Sequence, residues 1–197
     1  MVIGITGSSG AGKSTVCEIL SEKYNVSVIN CDEIARNLSK QGTKYLLEII
    51  ETFGEDILQK NGELNRKKLA NIIYKSEEKR NKLNDCTFKY IKKEILDIIK
   101  RLTNENIIVI DAPLLFESKI DEMCDTTIAV VSINKDIQIK RIMDRDNIDL
   151  EHASSRISAQ KSNEFYIKKC NFTIFNDDEK LELNNQIEKI MTNILHF

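Results

Sequence analysis

Eight consecutive residues near the amino end, Gly7-Ser8-Ser9-Gly10-Ala11-Gly12-Lys13-Ser14, carry the spacing G-x-x-x-x-G-K-[ST]. Glycines at those places let the backbone take φ > 0 and approach a ligand closely, so successive N–H groups converge on phosphate oxygens. A helix beginning near Ser14 adds the positive end of its dipole. Lys13 brings a point charge to the β- and γ-phosphates, and the Ser14 hydroxyl is a ligand for Mg²⁺. The expected chemistry is capture of a nucleoside triphosphate with magnesium. The motif does not say what receives the phosphate.

Carboxylates and guanidiniums further along bear on the acceptor. Asn30-Cys31-Asp32 closes an apolar run, at the end of the strand where open α/β sheets place their ligands. Asp32 there could orient an incoming hydroxyl and take its proton, or could cap the helix that follows; from position alone both readings stand. Asp111 closes another run and is either a carboxylate facing Mg²⁺ or the cap of a turn. Arg141 and Arg145 are four residues apart and share a helix face, with Arg156 on the next helix. Guanidiniums on two short helices suit a closing lid, and they equally suit surface pairing with Asp144, Asp146 and Glu151. Asn134-Lys135-Asp136 is one residue short of the guanine-reading N-K-x-D and is expected to be a turn and helix cap. His152 and His196 are expected at the surface.

These residues need a frame. Val2–Thr6, Val26–Ile29, Ile107–Ile110, Thr126–Ile133 and Phe172–Phe175 are short, apolar and rich in β-branched residues, and read as strands. Helical patterns over Ser14–Lys23, Ile137–Arg145, Leu150–Gln160 and Asp178–Leu195 alternate with them. The fold predicted is α/β: a five-stranded, mostly parallel P-loop-type sheet with helices on both faces. Residues 32 to 106 are charged, keep a 3.6-residue apolar period, and turn at Asn61-Gly62. They are expected to form a helical lobe inserted beside the sheet, within one domain of 197 residues that has a lid region at residues 137 to 161.

Composition narrows the class. Apolar residues make up 41% and charged residues 30%, enough for a core and too apolar for disorder. The net charge of −2 argues against a general nucleic-acid binder. No run approaches the 18 apolar residues of a membrane span. The segment Met1–Ile5 lacks a basic region and cleavage site, so no signal peptide is expected. The five cysteines form no CxxC and are expected to be buried free thiols in a reducing cytoplasm. A small phosphotransferase is favoured over a motor or transporter ATPase, which normally needs more chain.

Several segments together resemble the dephospho-coenzyme A kinase family along nearly the whole chain. The family's D-A-D-x-I-A-R corresponds to Asn30-Cys31-Asp32-Glu33-Ile34-Ala35-Arg36, and its D-G-x-L-x-R-x-x-L to Asn61-Gly62-Glu63-Leu64-Asn65-Arg66-Lys67-Lys68-Leu69. Its P-L-L-x-E is matched by Pro113-Leu114-Leu115-Phe116-Glu117. Its lid pattern is matched by Lys140-Arg141-Ile142-Met143-Asp144-Arg145-Asp146 and Arg156-Ile157-Ser158-Ala159-Gln160. The resemblance implies ATP-dependent phosphorylation of the ribose 3′-hydroxyl of dephospho-CoA, with Mg²⁺ held at Ser14, by a cytoplasmic monomer with no nucleic-acid or membrane partner. It implies Asp32, Lys13, Arg141 and Arg145 as catalytic groups. Gly7, Gly10, Ala11, Gly12, Lys13, Ser14, Thr15 and Asn176 would bind ATP. Thr6, Arg66, Phe88, Pro113, Leu114, Leu115 and Glu117 would lie on the acceptor side.

Two departures stand out. Asn30 replaces the family's first Asp, and Phe88-Lys89 stands where the family often has His-Pro, so Phe88 would stack on the acceptor's adenine. Two other readings share the motifs: a kinase of another small hydroxyl compound, and a nucleotide-binding regulator without turnover.

Overall fold

The computed structural model describes residues 1–102, 107–177 and 180–195. The apolar runs form strands β1 (Val2–Thr6), β2 (Ser27–Asn30), β3 (Ile108–Asp111), β4 (Thr126–Val131) and β5 (Phe172–Phe175). They make one sheet in the order β2-β3-β1-β4-β5. β1 runs parallel to both neighbours, with Ile3 opposite Val109 on one side and Thr126 on the other, and β4 runs parallel to β5. The next strand after β2 returns beside β1, and the one after that pairs with β1's other edge. The carboxyl end of β1 is thus a switch point, where the sheet opens a crevice.

The chain divides into two compact units. The first comprises Met1–Ile29 and Asn104–Phe197 and holds most of the sheet. Its strands are buried on both faces, as parallel strands must be when helices cover them. Ile3, Ile5, Ile128 and Val130 point to one side, against Val16 and Leu20 of helix α1 (Lys13–Tyr24). The carboxyl-terminal helix, Lys180–Leu195, packs on that side through Ile187 and Met191. Ala129 and Val131 alternate to the other side, against Tyr166 of the helix Asn163–Lys169. The sequence period missed that last helix because it is only seven residues long. The closing helix was expected from Asp178; Asp178, Glu179 and the surface assignment of His196 lie outside the described residues.

The second unit is Asn30–Thr103. It holds four helices, α2 (Cys31–Leu38), α3 (Lys44–Phe53), α4 (Arg66–Tyr74) and α5 (Glu77–Arg101). Each starts on a polar cap whose side chain accepts a backbone N–H: Asn30, Thr43, Asn65 and Ser76. Tyr45, Leu46, Ile49, Ile57, Leu64 and Leu69 form its core. Between α3 and α4, Leu58 bridges Leu64 antiparallel, and Gly62 at φ 81° donates its N–H to Gln59, giving the turn expected at Asn61-Gly62. The helices Lys135–Asp146 (α6), Leu150–Ser158 (α7), Asn163–Lys169 (α8) and Lys180–Leu195 (α9) complete the chain. Among the described residues no helix is long and apolar enough to cross a membrane.

Candidate active site

The loop Gly7–Gly12 links β1 to α1 at the switch point. Gly7 has φ 143°, and a Cβ there would stand 2.0 Å from the Val130 carbonyl oxygen of β4. Gly12 has φ 90° and a Cβ there would stand 1.9 Å from the Asn176 side-chain nitrogen. Both positions exclude other residues, by left-handed backbone and by lack of room. The loop therefore curls tightly over the sheet end. Lys13 folds back across it, donating to the carbonyls of Gly7 at 2.8 Å and Ser8 at 3.2 Å. Ala11 is buried within the loop, while Ser14 and Thr15 are exposed in the first turn of α1.

Side chains from later helices converge on this loop. Gln138 of α6, almost fully buried, donates to the Ser8 hydroxyl at 2.6 Å and the Ser9 carbonyl at 3.1 Å. Ser9 donates its backbone N–H to Gln160 Oε1 at 2.7 Å. Arg145 donates to the Ser9 hydroxyl at 3.1 Å. Arg141, one turn earlier, holds two backbone carbonyls instead, Asn176 at 2.9 Å and Gly10 at 3.3 Å. The two lid arginines read as equivalent in sequence are thus held differently. Arg145 is on the open side of the loop, and Arg141 ties α6 to the loop and to Asn176.

Asn176 follows β5 and is buried. Its amide donates to the Ala11 carbonyl at 2.8 Å, and its own N–H bonds to Val131 at 2.9 Å. Asp177 next to it accepts from the N–H groups of Ile133 and Asn134 and from the Ser132 hydroxyl. Burial pushes its carboxyl up, and those three hydrogen bonds with nearby Arg141 outweigh it and hold the carboxyl below the ordinary Asp range. This clasp takes the three residues after Val131, so β4 ends at Val131, short of Ile133 where the apolar run predicted its end. Asn134 then caps α6, accepting from Asp136 and Ile137. That is the expected turn and cap rather than a guanine reader.

Asp146 gathers two of the arginines expected in the lid. It accepts a bidentate pair from Arg145 at 2.8 and 2.9 Å and a further bond from Arg156. The Arg145 hydrogen bonds hold its carboxyl below the ordinary range. The surface pairing weighed for these arginines therefore exists, through Asp146, and Arg145 keeps its contact with Ser9 alongside it.

Asp111 ends β3 and is buried at 7% exposure. The adjoining Cys17 thiol is pushed up to about 12 by burial first and by the Asp111 charge second, with Lys13 pulling the other way. Asp111 and Lys13 thus both act on one buried spot beneath the loop. The cysteines are free, with Cys17 and Cys31 buried and Cys86, Cys124 and Cys170 only half-buried, so burial is less complete than expected.

The turn after β3 was expected to face the acceptor. Thr6 is fully buried and donates to the Pro113 carbonyl at 3.3 Å. Leu115 is also fully buried, with both methyls 3.2 Å from where a Cβ on Gly4 would stand. Neither side chain is open to a ligand. They hold the turn, which corrects their reading as contact residues. Pro113 is half-buried, and Leu114 and Glu117 are exposed.

In the second unit, Asn30 is the cap of α2, accepting the Glu33 N–H at 2.9 Å. The capping alternative for Asp32 is thereby displaced two residues upstream, and Asp32 sits exposed in the first turn of α2. Arg66 is exposed at the start of α4, and Phe88 is half-buried on α5, outside the lobe core. His152 is exposed on α7, as expected, and pairs with Asp149 at 2.7 Å.

Gln138 and Asp177 escaped the sequence reading, Asp146 entered it only as a surface partner of the arginines, and Gln160 was quoted only as part of a pattern. Only Gln160 had a usable signal, its fixed place after Arg156 in the lid pattern.

Against known proteins, residues 1–182 match the family model described as dephospho-CoA kinase. A dephospho-CoA kinase of Fusobacterium nucleatum is 39% identical over 197 residues, covering 98% of both chains. One from Listeria monocytogenes is 40% identical over 182 residues, covering 91% of this chain and 90% of that one. Among solved structures, a Thermus thermophilus protein superposes with a TM-score of 0.86 at 25% identity, covering 99% and 97% of the two chains. A Campylobacter jejuni dephospho-CoA kinase does so at 0.69 and 29% identity, covering 98% and 96%.

Proposed function

Because the chain belongs to the dephospho-CoA kinase family, we propose how its own residues carry out that family's reaction. The reaction is transfer of the γ-phosphoryl group of ATP to the ribose 3′-hydroxyl of dephospho-CoA, giving coenzyme A and ADP. The observation that carries the reading is the convergence of Lys13, Gln138, Arg145 and Gln160 on one glycine-shaped loop.

The loop amides from Gly7 to Thr15 bind the triphosphate of ATP, and Lys13 swings from the Gly7 and Ser8 carbonyls onto the β- and γ-phosphates. Asn176, held against Ala11, fixes the nucleoside end. The Ser14 hydroxyl beside Lys13, with the buried Asp111 carboxylate, is a hard-oxygen set of the kind Mg²⁺ takes together with phosphate and water. When bound, the ion neutralises charge on the β- and γ-oxygens.

Asp32 orients the 3′-hydroxyl and takes its proton late, since phosphoryl-transfer transition states are loose. Arg145 leaves the Ser9 hydroxyl for the transferring phosphoryl group, where preorganised charge is worth most. Arg141 stays on its two carbonyls and shapes the loop. Arg66, Phe88, Pro113, Leu114 and Glu117 serve the acceptor. Residues 32 to 106 act as acceptor lobe and 137 to 161 as lid, within one kinase domain working as a cytoplasmic monomer.

ADP release from ATP–Mg²⁺ is to be followed with dephospho-CoA beside nucleosides, nucleotides and gluconate, with coenzyme A identified by mass. Turnover with dephospho-CoA alone is the expected result. Turnover with another acceptor and not this one would transfer the activity to that compound.

A further inference from the structure

The second unit contains a groove of about 550 Å³ whose charged and amide lining comes from Arg36, Lys40, Gln59, Glu63, Arg66 and Lys67. Arg36 lies in the last turn of α2 and Lys40 just beyond it, while Arg66 and Lys67 open α4. Four cations therefore border one concavity with a single carboxylate. That carboxylate, Glu63, is engaged by the Asn61 amide at 3.1 Å. Among the described residues, none of the four cations forms an ion pair, whereas Lys82, Lys89, Arg101, Arg145 and Arg156 all do.

The placement of Arg66 and Lys67 is unusual for the helix they start. The first turn of α4 carries no acid, although a helix amino end attracts anions and disfavours cations. In that turn the Asn65 side chain accepts the Lys68 N–H, and Arg66 donates its own N–H to the Leu64 carbonyl at 3.1 Å. The four cations and the positive amino end of α4 thus border the same groove, where the Gln59 amide already donates to the Leu64 carbonyl at 3.3 Å. Together they are complementary to a compact anion with several acceptor oxygens.

We infer that this groove binds the diphosphate bridge of dephospho-CoA. The inference rests on the proposed function, and deepens it by separating acceptor grip from phosphoryl transfer. The bridge links adenosine to pantetheine and carries two negative charges, and the groove volume lies within the range of small-ligand sites. Arg36, Lys40 and Lys67 become acceptor-binding residues beside Arg66. The triphosphate of ATP needs no second cradle, and the chain's net charge of −2 makes a polyanion such as RNA a poor competitor.

The test measures equilibrium binding of dephospho-CoA and of adenosine, without ATP, to the wild-type chain and to Arg36→Ala/Lys67→Ala. The expected result is a dephospho-CoA Kd raised on the order of 10²-fold in the double variant, about tenfold per lost phosphate contact. Adenosine, which lacks the bridge, should shift by less than about threefold, and raising salt should weaken dephospho-CoA binding more in wild type than in the variant. A dephospho-CoA Kd within about threefold of wild type would overturn the inference. So would an equal loss for adenosine, or a loss of ATP affinity in its place. If the double variant fails to fold, Lys40→Ala and Lys67→Ala singly carry the test, as both side chains are exposed. A wild-type chain that neither binds nor phosphorylates dephospho-CoA would sink the function itself. An insensitive variant of an active chain would sink the groove alone.

Discussion

At the residue scale, the loop is shaped by what its glycines leave room for. Gly12 shares its space with the Asn176 amide, which is in turn bonded to Ala11. A methyl at Gly12 must expel that amide and adopt a left-handed backbone. Gly12→Ala is expected to weaken ATP binding by at least about tenfold and to cost stability on the order of 1–3 kcal/mol, read by nucleotide titration and denaturant unfolding. The two lid arginines make a second contrast. Arg145→Ala removes a charge facing the loop and should lower turnover by about 10²–10³-fold, or about 3–4 kcal/mol. Arg141→Ala removes a brace from the Gly10 and Asn176 carbonyls, so its first effect should be a raised KM for ATP. Steady-state kinetics with ATP varied separates the two, and a silent Arg145→Ala would move the transferring-charge role to another lid cation.

At the element scale, strand positions, the phosphate loop and the helices α6 and α7 were legible because each leaves a periodic or fixed-spacing trace. What was not legible depends on contacts between distant segments. Asp32 and Asn30 are two residues apart, and only the backbone shows that α2 begins at Cys31 and takes Asn30 as its cap. Gln138 reaches Ser8 across 130 residues, and a buried glutamine leaves no local pattern. Leu115 sits in a family-like motif and Thr6 just before one, and both still point inward, since a motif records that a residue is needed without saying whether it touches ligand or scaffold.

Two element-level outcomes follow. Ile49 of α3 is fully buried in the lobe core, so Ile49→Ala should destabilise that unit by about 2–5 kcal/mol in urea unfolding. On α7, the Asp149 cap raises the His152 imidazole above its ordinary 6.5 through a direct hydrogen bond, and Asp149 itself is lowered by the same partner. The charged pair contributes fully below the histidine's unfolded-state value and is lost as pH rises through the folded one. NMR titration should find His152 above its ordinary value and lower in Asp149→Asn than in wild type. The pair is exposed, so the effect on stability is small.

At the scale of the whole molecule, the proposed chemistry is divided between two compact units. Met1–Ile29 with Asn104–Phe197 carries the phosphate loop and the lid arginines, and Asn30–Thr103 carries Asp32 and the basic groove. On the proposed mechanism the first unit holds ATP without help from Asp32, and the transfer depends on Asp32. The direct test is to measure ATP affinity and coenzyme A formation side by side in wild type and Asp32→Asn. The expected result is an ATP Kd within about twofold of wild type and turnover lower by on the order of 10²-fold or more. Near-full turnover in Asp32→Asn would contradict it and leave the Asp32 carboxylate without a part in the reaction.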